Sequence, residues 1–359
     1  MRSGTIDLPL HYGKCPRWLF DRMKKLSGLM CSLIIQEYGS DELLNRLSDP
    51  LFFCAFSCTI GFDWHSSGTT TTTCGAIKAA LADSEIISVC GGKGQASAST
   101  GIEIMQAGEK FSFSDSKIKS LKRASNLIIR VDQNCIQAGY VMYHHSFFVD
   151  EKGNWAIVQQ GLNPQNKYAR RYHWLNSDVF TESPDQKIAG QKHQEVLNLV
   201  SKESEEVRKI SLDIINDNPA RLRKYFDGQT TLFDEEQYSI LPRHHEIREC
   251  NLTKKDWDYL QKAYELQPRK YEDLICLEGL SARKLRALAL VSKIIYGKKL
   301  DWKDPVKYSF AHGGKDGTPF PIDLNSYQNT ISFLREVMYQ TEGISGSEKE
   351  RALKSLASF

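Results

Sequence analysis

The 359-residue sequence has no run of about 18 apolar residues, so a membrane-spanning helix is not expected. Its first stretch, MRSGTIDLPLHYG, lacks the apolar core of a signal peptide, and a cytoplasmic location is expected. The nine cysteines are odd in number and scattered without a CxxC pair, which argues against a zinc ribbon or a disulfide framework. A net charge of +3 is too small to point to any partner by itself. Asp63, His65, His144 and His173 are plausible metal ligands, but no H-x-H or H-E-x-x-H spacing supports a metal site, so metal dependence is the minor option and no cofactor is expected. Internal repeats are missing, and low complexity is confined to Thr69–Thr73.

What is present is an ordinary globular composition, 41% hydrophobic and 25% charged, in a chain long enough for two or three cores. Leu19, Met23, Leu26, Met30, Leu33 and Ile34 fall at helical spacing, with Gly39 as a stop. Asp49-Pro50 reads as a break, followed by an apolar run read as a strand ending near Gly61. GAIKAAL and SKIKSLKRASN read as helices, 95–116 as a loop with some helix, and IISVCGG and 126–134 as strands. VMYHHSFFVDEKGNWAIVQQGLN reads as a hairpin turning at Glu151 to Asn154. The expected fold is an α/β domain, a mixed sheet with flanking helices, over residues 1–190. A helical and irregular linker follows over 191–252, and an all-α helix-hairpin-helix domain over 253–359, with a loop rich in glycine and proline at 311–321.

From Gly279 to Tyr308 eight basic residues stand against Asp301 and Asp304, a local excess that attracts a polyanion. Within it, YEDLICLEGLSARKLRALALVSKIIYG divides into a short helix, a turn at Gly279-Leu280-Ser281 and a second helix. Such a turn presents backbone N–H groups to phosphate, with Arg283 and Lys284 in the first turn and Lys298 and Lys299 beyond the helix. The segment resembles the hairpin of DNA glycosylases of the endonuclease III type. The resemblance places Arg283 where that family has its catalytic lysine and Asp304 near its aspartate. Arginine is a poor Schiff-base nucleophile, so glycosylase chemistry is an alternative only.

Near the expected strand ends lie Asp63, His65, Lys93, Asp132, His144, His145, Arg170, Arg171 and His173, the candidate catalytic residues, with Gln159 and Gln160 beside them. HHSFFVDEKGNWAIVQQGLN resembles the histidine motif of the phospholipase D superfamily, with His144, Glu151, Gly161 and Asn163 in comparable places and Ser146 where that family has lysine. The resemblance implies metal-independent phosphodiester hydrolysis and, because one motif is present, a homodimer. GFDWHSSGTTT, GGKG, ARRYHW, ALVSKIIYG and SFAHGGKDGTPFPID resemble, over nearly the whole length, a prokaryotic family frequent in archaea and thermophiles and known by a domain-of-unknown-function label. The expected function is nucleic-acid processing or repair, foremost of DNA, by a histidine-based phosphodiesterase anchored through the hairpin. The alternatives are a glycosylase-like repair protein or a non-catalytic DNA-binding or scaffold protein. The expected partner is DNA or RNA, not a membrane.

Overall fold

The computed structural model describes residues 8–10, 13, 15–62, 66–217 and 253–308. Asp63 and His65, residues 218–252 of the expected linker and the loop at 311–321 lie outside the described residues.

Three long strands build the centre: β4 (Val141–Asp150), β5 (Trp155–Asn163) and β6 (Tyr168–Leu175). β2 (Ile87–Lys93) pairs with β4 on one side, β1 (Leu8–Pro9) and β7 (Lys187–Ala189) share the outer edge of β6, and β3 (Ile136–Gln137) pairs with β8 (Leu197–Asn198) apart from this sheet. The expected mixed sheet is instead antiparallel at every pairing between its described strands. Short turns join β4 to β5 and β5 to β6, and such turns can link only antiparallel neighbours. The expected hairpin is present, with Gly153 in its turn.

Both faces of the sheet are covered. On one, Ile87, Phe148, Ala156 and Val158 pack on helices α1 (Arg17–Tyr38), α2 (Ser40–Leu47), α3 (Pro50–Thr59) and α4 (Ser67–Ala80). On the other, Cys90, Phe147, Ile157, Tyr172 and Trp174 pack on α6 (Thr100–Lys110), α7 (Asp115–Arg130) and α8 (Glu205–Asn216), with the four-residue helix α5 (Gln95–Ala98) preceding α6. Helices α9 (Lys254–Leu266), α10 (Tyr271–Cys276) and α11 (Ala282–Tyr296) add Leu260, Leu274, Leu280, Leu285 and Leu288 to that second core.

Several local expectations are corrected. Asp49-Pro50 starts a helix: the Asp49 carboxylate accepts from Leu51 N at 2.7 Å, Pro50 fills the first helical position, and the run before Gly61 is α3. Residues 95–116 are mainly α5 and α6, and the helix expected from 191 begins only at Glu205. The stretch 126–134 completes α7 and then winds into a π-helical turn, Val131–Cys135, where Ile136 N–H reaches back to Val131 O. Its β-branched residues suggest a strand, but Leu121, Ala124, Ile128 and Val131 are all buried at helical spacing, and that burial decides the outcome.

Candidate functional site

β4 carries His144-His145 and β5 carries Gln159-Gln160, in the register His145↔Gln159 and His144↔Gln160. Successive side chains on a strand point to opposite faces, so each adjacent polar pair is divided. His145 and Gln159 face α7; His144 and Gln160 face α4.

On the α7 side the buried groups form one directed chain. Gln159 turns its amide nitrogen to Asp132 Oδ2 and to Ile128 O (3.4 Å), both acceptors, which leaves its carbonyl oxygen for His145 Nδ1 at 2.8 Å. A carbonyl can only accept, so Nδ1 bears the proton and Nε2 offers its lone pair. Nε2 meets Ser125 Oγ at 2.9 Å. At the far end Trp174 Nε1 also donates to Asp132 Oδ2, at 2.9 Å. Burial pushes the Asp132 carboxyl up to about 7, against the bonds from Trp174 and Gln159 and the charge of Arg170. Burial likewise pushes His145 down to about 4, opposed by its bond to Gln159. Gly91, at φ +86°, makes the local packing feasible, because a Cβ there would lie 2.3 Å from His145 O.

Ser125 lies at the wall of a cavity of about 700 Å³. The GGKG turn supplies Gly94, α5 Ser97 and the start of α6 Thr100; α7 supplies Lys122, Asn126 and Arg130. Gln133 of the π-helical turn and Tyr143 of β4 close the other side. The volume falls within the roughly 300–1,000 Å³ of small-molecule sites, and the cationic groups suit an anion.

The other named candidates lie elsewhere. His144 is buried over α4, its Nε2 hydrogen-bonded with Ser146 Oγ at 3.1 Å. His173 donates from Nδ1 to Leu47 O (2.9 Å) and accepts at Nε2 from Arg171 Nε (2.8 Å). Arg171 also reaches Thr70 Oγ1 and Pro50 O, each at 3.4 Å. Thr70 donates to Gln160 Oε1, and Gln160 to Ser67 O and the Tyr143 hydroxyl. Arg170 forms a buried pair with Asp304, Nη2–Oδ2 2.6 Å and Nη1–Oδ1 3.1 Å. Lys93 is exposed at the end of β2, next to Gly94. Of the seven candidates among the described residues, His145 and Asp132 alone join the chain that runs from Ser125 at the cavity. Among the described residues no group of three or more His, Cys, Asp and Glu is placed to hold a metal ion.

A short turn through Gly279 joins α10 to α11. Gly279 adopts φ +79°, where a Cβ would strike the Tyr259 ring at 2.2 Å, and Leu280 is buried at the tip. Ser281 is exposed. In the first turn of α11, Lys284 is buried against Asp256 Oδ1 at 2.5 Å, and Arg283, half-exposed, reaches Asp256 Oδ2 at 2.9 Å. Burial works against the Asp256 carboxylate, but the bonds from Lys284 and Thr253 outweigh it and hold the group at about 2. Lys298 approaches Glu206 at 3.6 Å and Lys299 is exposed. The π-helical turn holds the hairpin from beneath, with Asn134 Nδ2 donating to Leu280 O (3.2 Å) and, just after the turn, Gln137 Nε2 to Ala282 O (2.8 Å).

A family of proteins of unknown function, DUF763, matches residues 4–322. The chain belongs to DUF763. No curated protein and no solved structure matches it. The DUF763 match takes in the cavity, the Ser125-to-Asp132 chain and the hairpin. Sequence reasoning missed Ser125, Lys122, Arg130 and Gln133, since a helical serine among lysines and arginines reads as an ordinary solvated face. The usable signal was the doubled polar pair in two otherwise apolar strands.

The buried histidines of this DUF763 chain are expected to make it acid-sensitive. Burial holds His144 at about 3 and His145 at about 4, and burial together with Arg171 holds His173 well below its usual range. The unfolded chain binds these three protons near pH 6.5 and the folded chain does not, so stability falls as pH drops below that value. Asp132, raised to about 7, takes up one proton in the folded state and offsets one of the three. The net expectation is a loss of about 3 kcal/mol per pH unit between roughly pH 6 and 4.5. Urea midpoints measured at half-unit steps across that window test it; a flat profile would show that the histidines are protonated when folded.

Proposed function

We propose that the chain hydrolyses phosphodiester bonds of nucleic acid, DNA foremost, in the cavity beside Ser125, with His145 as general base. One observation carries this reading: the His145 imidazole is locked in one tautomer by Gln159 and Asp132, and its free-electron nitrogen points to the wall of a cavity edged by Lys122 and Arg130. A base oriented by a third group and aimed at a site for the reacting atoms is the arrangement general base catalysis requires. An incoming phosphate brings negative charge beside His145, which raises the affinity of the imidazole for the proton it must take. The working groups belong to one chain, so the homodimer implied by the phospholipase D resemblance is not needed.

In the same reading residues 1–190 form the catalytic region, and the helices from 253 onward grip the strand as a nucleic-acid-binding region. The phosphate contacts are the backbone at Gly279–Ser281 with Arg283, Lys298 and Lys299, while Lys284 serves to anchor Asp256. Replacing Arg283, Lys298 and Lys299 together by alanine is expected to reduce the slope of log affinity against log salt by about two to three. An unchanged slope in a filter-binding or anisotropy titration would remove the hairpin from the interface. The reading as a whole is tested with labelled single- and double-stranded DNA and RNA, with and without EDTA. Cleavage that survives EDTA is expected; no cleavage of any substrate sinks the proposal.

A further inference from the structure

We infer that Ser125 is the nucleophile of this site and that turnover passes through a phosphate ester on its Oγ. The inference rests on the reading of the cavity as a phosphodiesterase site and adds to it what attacks the phosphorus.

The geometry carries it in three ways. First, a serine within a helix commonly turns its hydroxyl back to the carbonyl four residues earlier. Ser57, Ser211 and Ser292 do so, bonding Phe53 O, Val207 O and Leu288 O at 2.7–2.8 Å. Ser125 turns instead to His145 Nε2, at 2.9 Å. Second, the tautomer forced by Gln159 leaves Nε2 as an acceptor, so the proton between the two belongs to Ser125. The hydroxyl is thereby polarised toward its alkoxide, which is how an otherwise weak serine becomes an effective nucleophile. Third, Ser125 lines the cavity, and it lies one helical turn from Lys122, where a positive charge can neutralise phosphate oxygens as they develop charge.

The proposed steps balance. Ser125 Oγ bonds to phosphorus while its proton passes to His145 Nε2. The bond from phosphorus to the leaving oxygen breaks, and that oxygen takes the proton from His145. A water molecule then attacks the phosphoserine diester and gives one proton to His145. Oγ leaves and recovers that proton, so that the product is a phosphate monoester and the free enzyme returns.

Two experiments test this on the full chain. With bis(4-nitrophenyl) phosphate as substrate, Ser125→Ala is expected to lower hydrolysis at least about a thousandfold. Acid-quenched wild-type protein is expected to carry a nitrophenyl phosphate adduct that maps to Ser125. Diisopropyl fluorophosphate, which needs no knowledge of the natural substrate, is expected to label Ser125 in the wild type and at least tenfold more slowly in His145→Ala. If Ser125→Ala hydrolyses within a few-fold of wild type while His145→Ala does not, water is the nucleophile: the inference falls and the phosphodiesterase reading stands. If Ser125 is labelled but no phosphodiester is cleaved, the serine is a nucleophile for another ester and the phosphodiesterase reading falls. Absence of label on Ser125 in folded wild-type protein overturns the inference outright.

Discussion

Asp304→Ala is expected to lower the stability of the chain by about 3–5 kcal/mol, the usual cost of leaving one half of a buried ion pair behind. Arg170 and Asp304 have no side-chain exposure, and Asp304 also accepts from His193 N (2.8 Å) and Val306 N (3.2 Å). Burial opposes the charge on Arg170, and Asp304 is what sustains it. Removing the carboxylate therefore strands a guanidinium, stacked 4.5 Å from the Tyr140 ring, with Gln191 O (2.7 Å) as its remaining acceptor of the three bonds described. It also frees the segment that meets the sheet through Tyr308 and β7. The double change Arg170→Met with Asp304→Leu removes both charges and is expected to recover most of the loss, because the pair's attraction roughly cancels its desolvation. Urea midpoints of the wild type, the single and the double variant test this. A single-variant loss below about 1 kcal/mol would mean that solvent reaches Arg170. The same geometry assigns the aspartate that resembles a glycosylase catalytic group to holding the chain together.

His145→Ala is expected to lower phosphodiester cleavage by about a hundredfold to ten-thousandfold, the range for loss of a general acid/base. Affinity for nucleic acid through the hairpin is expected to stay unchanged, since His145 sits on the face of the sheet beneath α7 and the proposed phosphate contacts lie in the turn before α11, on α11 and beyond it. His144→Ala is the informative control. It changes an adjacent, equally buried histidine that points to the α4 side, away from the cavity, and is expected to alter turnover no more than a few-fold once its folded fraction is matched. Comparing turnover rates and binding isotherms of the two variants separates a base from a packing residue. Equal losses for both histidines would show that each acts through stability, and equal retention would show that the chemistry does not use this cavity.

Much of the architecture was legible because it rests on local pattern. The apolar spacing of α1, the turn between β4 and β5 and the glycine at the hairpin tip each state their structure within a few residues. The end of α7 was not, because Leu127-Ile128-Ile129 suits a strand as well as a helix, and only packing on Phe147 and Trp174 in the shared core resolves it. The site divides along the same line. His145 and Asp132 stand out as polar residues in apolar surroundings. The separation of His144 from His145 also follows from strand periodicity, which places two adjacent histidines on opposite faces and argues against one shared cluster. Ser125 has no comparable signature: its meaning comes from a strand 20 residues away laid against its helix. The tie between Arg170 and Asp304, 134 residues apart, is equally invisible before the chain is folded.

The π-helical turn at Val131–Cys135 fixes how many residues this part of the chain must have. Three consecutive side chains there serve three different places: Asp132 the Gln159 amide, Gln133 the cavity wall and Met142 N (3.0 Å), and Asn134 the carbonyl at the hairpin tip. Deleting any one of these five positions would let the helix regain its normal phase and rotate all that follows by about 100°. The turn is therefore more tolerant of a changed residue than of a changed count, and its length is the dimension along which this protein has least freedom to vary.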